Sequence, residues 1–193
     1  MSNLDTLATA CTAQALIDSP LGRVRLARTT RGLAGLWFEG QRHHPGELPA
    51  PHHRDDPLLR EAALQLQRYF AGPQARFDLP LDLFGTPFQR AVWQALLRIP
   101  AGRTSSYGEL AHAIGKPAAA RAVGAAVGRN PVSVVVPCHR VLGAGGALTG
   151  YAGGLERKRA LLELEECLKT RERVEAGVVL YFPRFTARAR GSV

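Results

Sequence analysis

Cysteine occurs only three times in 193 residues, at Cys11, Cys138 and Cys167. An odd number at wide spacing excludes a disulfide framework and fits a reducing compartment, so a cytoplasmic location is expected. No stretch approaches the roughly 18 apolar residues that a membrane-spanning helix needs. The opening segment MSNLDTLATACTAQAL lacks the basic region and clean apolar core of a signal peptide. The histidine pairs His43–His44 and His52–His53 have no cysteine or carboxylate cluster beside them, so they read as solvated loop residues and no metal is expected. Lysine is nearly missing: Lys116, Lys158 and Lys169 are all there are.

Arginine takes lysine's place. Lys and Arg together number 25 against 16 Asp and Glu, a formal charge of +9. The planar guanidinium fork suits phosphate, and an excess of this size points to nucleic acid or another anionic surface. Hydrophobic residues make up 46%, enough for one domain or two small ones sharing a core.

The pattern divides the chain in two. AQALID, GRVRLART and GLAGLWFE read as three short strands, with Val24 and Leu26 alternating against Arg23 and Arg25 as in a half-buried strand. A Pro- and His-rich loop follows. Residues 57–70 then predict a helix, capped by Asp55 or Asp56, begun by Pro57 and ended by Gly72-Pro73. The segment before the first strand reads as disordered. Beyond residue 80 the chain is mostly helical. Thr86-Pro87-Phe88-Gln89 and Ser106-Tyr107-Gly108-Glu109 have the form of capping boxes. The second opens a short helix that Gly115 ends, and residues 118–128 form another, so the pair is a helix-turn-helix candidate. PVSVVV predicts a strand up to Pro137, and residues 155–168 a last helix. The fold class expected is α/β of the α+β kind. A small N-terminal sheet-plus-helix domain (1–79) packs on a mostly helical C-terminal domain (80–170), followed by an apolar tail (171–193).

Two features carry chemistry. Residues 118–128 are Ala, Val and Gly except for Arg121. A helix that reads bases in the major groove needs long polar side chains, which this one lacks. A smooth face with one projecting side chain suits close approach in the minor groove and insertion into the stack. The competing reading is a core helix, which would bury Arg121 unpaired at high cost. The second feature is VVVPCHRVLG. Cys138 follows a proline, is flanked by His139 and Arg140, which favour a thiolate, and precedes the glycine-rich GAGGALTGYAGG. In a continuing strand His139 would point away from the sulfur, so the backbone turns there or a water carries the proton. A carboxylate is needed to orient the histidine, and spacing leaves Glu163, Glu165 and Glu166 open. A Cys-His hydrolase or acyltransferase fits these residues alone; the basic chain and the helix pair upstream argue against it.

The stretch NPVSVVVPCHRVLGAGGALTGYAGGLERKRALLELE resembles the active-site region of the O6-alkylguanine-DNA alkyltransferases. The resemblance is strong over about residues 80–168 and looser over IDSPLGRVRLARTTRGLAGLWF, which is similar to the ribonuclease-H-like N-terminal domain of the stand-alone bacterial form. No cysteine-rich zinc module is present. The resemblance implies direct reversal of damage: a flipped guanine loses its O6-alkyl group, irreversibly and once per protein molecule, to Cys138. It implies His139 as the base acting through water, Glu165 as its orienting carboxylate, Asn130 as a hinge, and Tyr107 as the donor to the leaving guanine. Val141, with the Cys138 carbonyl, and Tyr151, Ala152 and Gly153 would form the guanine pocket. Ala152 departs from the serine of some relatives. Arg121 would fill the vacated stack, with Ala120, Gly124 and Arg129 also against DNA. The implied partner is duplex DNA carrying alkylated bases, with no cofactor and no membrane. A monomer is expected, with cooperative assembly on DNA, adduct size and O4-alkylthymine left open. A lesion-binding relative without transfer is the other reading, though such proteins replace the cysteine that Cys138 retains.

Overall fold

The computed structural model describes residues 3–72 and 76–167. The tail 171–193, Pro73 and the predicted helix end at 168 lie outside the described residues. The architecture is α+β, a small antiparallel sheet followed by a helical half.

The sheet runs β1 (Ala13–Ile17), β2 (Val24–Arg28) and β3 (Leu33–Phe38) in that order. Ala13 pairs with Arg28, and Val24 with Phe38, and the register slips at Ala27/Arg28. The sheet is covered on both faces, not one. Val24, Leu26, Leu36 and Phe38 join the main core, while Ala27, Ala34 and Trp37 pack in a second cluster with Leu7 and Cys11. Leu7 belongs to α1 (Asn3–Ala10), a helix where disorder was expected. One fully buried leucine anchors it, a signal too sparse to show in the sequence. Arg25, on the covered face, bonds to Gln14 and lies 3.6 Å from Glu47.

Helix α2 (Pro57–Ala71) starts where Asp56 accepts the Leu58 and Leu59 N–H groups, both at 3.0 Å. It lays Leu59, Leu66, Tyr69 and Phe70 into the main core. The helical half holds α3 (Pro87–Leu96) and α4 (Tyr107–Ala113), each opened by its complete capping box at Thr86/Gln89 and Ser106/Glu109. Gly115, at φ +69°, turns the chain out of α4, and a 3-10 turn (Pro117–Ala119) leads into α5 (Ala120–Gly128). The Trp93 indole donates to Ala126 O at 2.9 Å and seats α5 against α3. A two-residue parallel pair, β4 (Ser105–Ser106) with β5 (Val141–Leu142), ties the start of α4 to the segment after Cys138.

PVSVVV is not a strand. Asn130 holds it in a tight turn, its amide donating to Val136 O at 2.8 Å while its Oδ1 accepts the Val132 N–H at 3.0 Å. The Val136 N–H returns to Val132 O, and Val134 sits at φ +70°, strained backbone for a β-branched residue. Only Val132 keeps a bridge, to Leu36 of β3, whose N–H and C=O bond to Pro131 O and the Ser133 N–H, each at 2.9 Å. The valines are β-formers by composition, but here they fill the core around a turn. The last helix, α6 (Leu155–Leu164), is shorter than predicted. Glu166 takes φ +58°, and the Cys167 N–H closes back on Leu162 O at 2.8 Å, which leaves Glu165 as the C-cap, pointed inward.

Candidate active site

Cys138, His139 and Arg140 form a single 3-10 turn, so the backbone does turn at the motif. Cys138 is 3% exposed and His139 fully buried. The sulfur accepts the Asn130 amide at 3.1 Å. Asn130 therefore closes the valine turn and contacts the thiol with one side chain. Burial pushes the Cys138 thiol up to about 11, against the lowering pull of the Asn130 bond and of the Lys158 charge. The flanking residues do not favour a resting thiolate as expected, because both are turned elsewhere. Burial raises Cys11 to about 11 as well; Cys138 is set apart by its donors.

His139 Nε2 and Arg140 converge on Glu165, not on Glu163 or Glu166. Nε2 lies 2.9 Å from Glu165 Oε1, and the guanidinium grips both carboxylate oxygens at 2.7 and 2.8 Å. A third guanidinium nitrogen holds Ile99 O. Burial alone would raise the Glu165 carboxyl; the His139 and Arg140 hydrogen bonds and charges outweigh it and hold it at about 2. Facing a carboxylate, Nε2 carries the ring proton, so Nδ1 is the acceptor. Nδ1 is buried without a protein partner. Burial keeps the imidazole pKa below its ordinary value despite Glu165.

Lys158, from α6, was not singled out in the sequence. It is fully buried, its ammonium donating to the carbonyls of Val141, Thr149 and Gly150. Burial lowers it to about 8. It clamps the glycine-rich loop beside the cysteine turn. The Val141 carbonyl is thus already engaged, and the Cys138 carbonyl accepts the Val141 N–H. Tyr107 opens α4, its hydroxyl 3.4 Å from Gly150 O, and burial raises its phenol pKa, so the hydroxyl stays protonated and able to donate a hydrogen bond. Gly150 sits at φ +52°, where a Cβ would meet the Tyr107 hydroxyl at 2.9 Å; a Cβ on Gly153 would meet the Tyr151 ring at 2.6 Å. Both positions need glycine for close packing.

Outside this centre, a cleft of about 540 Å³ is lined by Tyr107, Gly124, Arg129, Tyr151 and Ala152 together with Arg42 and His43. A second, of about 440 Å³, adds Gly153. The loop carrying Arg42 and His43 is therefore part of the rim, tied on by the Arg42 N–H to Ala152 O at 2.9 Å. His52 and His53 lie elsewhere, bridged to Gln14. No metal-ligating cluster occurs among the described residues. In α5, Val123, Ala126 and Val127 face the core while Arg121, Ala122 and Ala125 are exposed, with Ala120 and Gly124 at the edge. Arg121 is not buried, so the core-helix reading fails at that residue. Arg129 is exposed and donates to Ala125 O at 3.3 Å.

Residues 13–83 match the family model of the 6-O-methylguanine DNA methyltransferase ribonuclease-like domain, and residues 87–167 that of its DNA-binding domain. The methylated-DNA–protein-cysteine methyltransferase of Mycobacterium bovis is 54% identical over 151 residues, 78% of this chain and 90% of that protein. The protein of the same name from Methanosarcina barkeri is 49% identical over 152 residues, 78% of this chain and 95% of its own length. The crystal structure of Mycobacterium tuberculosis OGT in complex with DNA superimposes with a TM-score of 0.73 at 50% identity, covering 80% of this chain and 93% of that one. Both family domains are matched in order and the relatives cover 78% of this chain, so the chain belongs to the 6-O-methylguanine DNA methyltransferase family.

Proposed function

We propose that the protein repairs duplex DNA by moving the O6-alkyl group of a flipped guanine onto Cys138. The observation that carries this is the buried array Asn130–Cys138 and His139–Glu165, in which the residue next in sequence to the neutral thiol keeps a buried ring nitrogen that no protein group engages. On arrival of the base the thiol proton passes through water to His139 Nδ1. The sulfur attacks the alkyl carbon in line, the carbon–O6 bond breaks, and its electron pair goes to the guanine, which takes a proton from Tyr107. The proton held on His139 then passes through solvent to the Tyr107 phenolate, which restores both groups. The product is a thioether with no carbonyl for water to attack, so Cys138 is not regenerated, and no cofactor enters the balance.

Duplex DNA with alkylated bases is the partner. Arg121, exposed on a helix of small residues, fills the gap left by the flipped base, with Ala120, Gly124 and Arg129 along the minor groove and phosphates. Tyr151, Ala152 and Gly153 wall the base. Cys138 lines neither cleft, so the loop over 150–154 yields when the base enters. The protein acts as a monomer in the cytoplasm. The test is a duplex with one radiolabelled O6-methylguanine, incubated with the protein and with Cys138→Ser. Label on the protein should rise to one equivalent and stop, with none on the variant. Tight duplex binding without label would leave a lesion-binding protein instead.

A further inference from the structure

Glu165 Oε1 has a donor that the reaction as described does not use. The Tyr69 hydroxyl, from α2 in the N-terminal half, donates to it at 2.7 Å across 96 residues of sequence. Tyr69 is 1% exposed. Its ring is wedged edge-on to Phe70 at 5.4 Å and tilted against Phe77 at 5.3 Å. The aromatic pair fixes where the hydroxyl points. Glu165 Oε1 thus accepts from three groups, Tyr69, His139 and Arg140, while Oε2 accepts from Arg140. Among the described residues, only Tyr69 reaches it from residues 13–83, the ribonuclease-like match; the rest belong to 87–167.

We propose that Tyr69 is a positioning residue of the alkyl-transfer centre, its hydroxyl fixing Glu165 Oε1 on His139 and setting how much of the carboxylate's charge the histidine feels. This rests on the reading above that His139 takes the thiol proton while Glu165 orients it. A carboxylate oxygen shared among three donors gives each a weaker bond than one shared between two. Removing the Tyr69 donor leaves more charge on Oε1 for the Nε2–H, which stabilises imidazolium. Neutral His139 is the form that accepts the thiol proton. A histidine that stays protonated to higher pH moves the acid limb of the rate–pH profile upward. The other groups facing this cluster are Arg140, Lys158, Cys138, Cys167 and Tyr151, and all remain in place.

The experiment measures single-turnover transfer from free O6-benzylguanine between about pH 5 and 9, so that DNA binding does not enter. Tyr69→Phe keeps the ring and its packing and should raise the acid limb by about half a pH unit. 3-Fluorotyrosine at 69, a stronger donor, should lower it, and remains informative should Tyr69→Phe fold poorly. A limb unmoved by both changes at 69, or a uniform loss of rate at every pH, would overturn the proposal and leave Tyr69 as packing alone. Glu165→Gln separates the two readings. If it moves the limb and Tyr69→Phe does not, only Tyr69 is removed; if it does not, the relay itself fails.

Discussion

Glu165 shows how much one side chain can be asked to do. It is buried, ionised and bonded to four donor nitrogens and oxygens from three residues. Its carboxyl is held at about 2, against 4.5 for the ordinary group. A carboxylate with a depressed folded pKa contributes stability that is complete above the unfolded value and is lost as pH falls from about 4.5 through 2. The difference corresponds to about 3 kcal/mol. Chemical denaturation at pH 7 and near pH 3 should show about 2 kcal/mol of that loss in the native protein, and Glu165→Gln, though weaker at pH 7, should lose less on acidification. Equal pH dependence in both would contradict the assigned ionisation. Of this centre, Cys138 and His139 were legible because the motif concentrates them in two adjacent positions. Arg140 reads in the sequence as a partner of the cysteine, and no sequence signal ties Tyr69 or Lys158 to the centre. Each bonds to something 17 to 96 residues away, and no local pattern encodes a contact that only packing creates.

Among the elements, local signals were reliable where the stabilising group is local. Asp56, Thr86 and Ser106 cap the helices they precede because each cap lies within three residues of the N–H it satisfies. PVSVVV misled for the converse reason: β-branched residues suit a strand, but Asn130 supplies side-chain bonds that compete with a ladder. Helix α5 is divided by face: Val123, Ala126 and Val127 are core, while Arg121, Ala122 and Ala125 face out. Arg121 touches none of the catalytic groups. Arg121→Ala should therefore slow repair of a duplex lesion at least tenfold more than transfer from free O6-benzylguanine. Parallel assays on the two substrates decide it, and equal losses would remove Arg121 from the flipping step.

At the scale of the molecule, the chemistry lies in one half but is held by both. Leu36 of β3 brackets the strained turn before Cys138, Ser133 reaches Gln41, and Arg157 joins Gly153 to Leu21 while stacking over Phe38. A chain lacking residues 1–79 loses these contacts and exposes Val132, Val134 and Val136. It should show neither cooperative unfolding by circular dichroism nor label transfer. A truncated chain that folds and transfers at the native rate would show the N-terminal half to be dispensable.

On the proposed minor-groove contact of α5, its small-residue face decides how damage is found. A surface without base-reading side chains gives every stretch of sound duplex the same claim on the protein. Each molecule spends nearly all its time on DNA that needs nothing. The wait before a lesion is met then scales with the length of duplex each copy must cover, and doubling the copies halves it, wherever in the sequence the lesion lies.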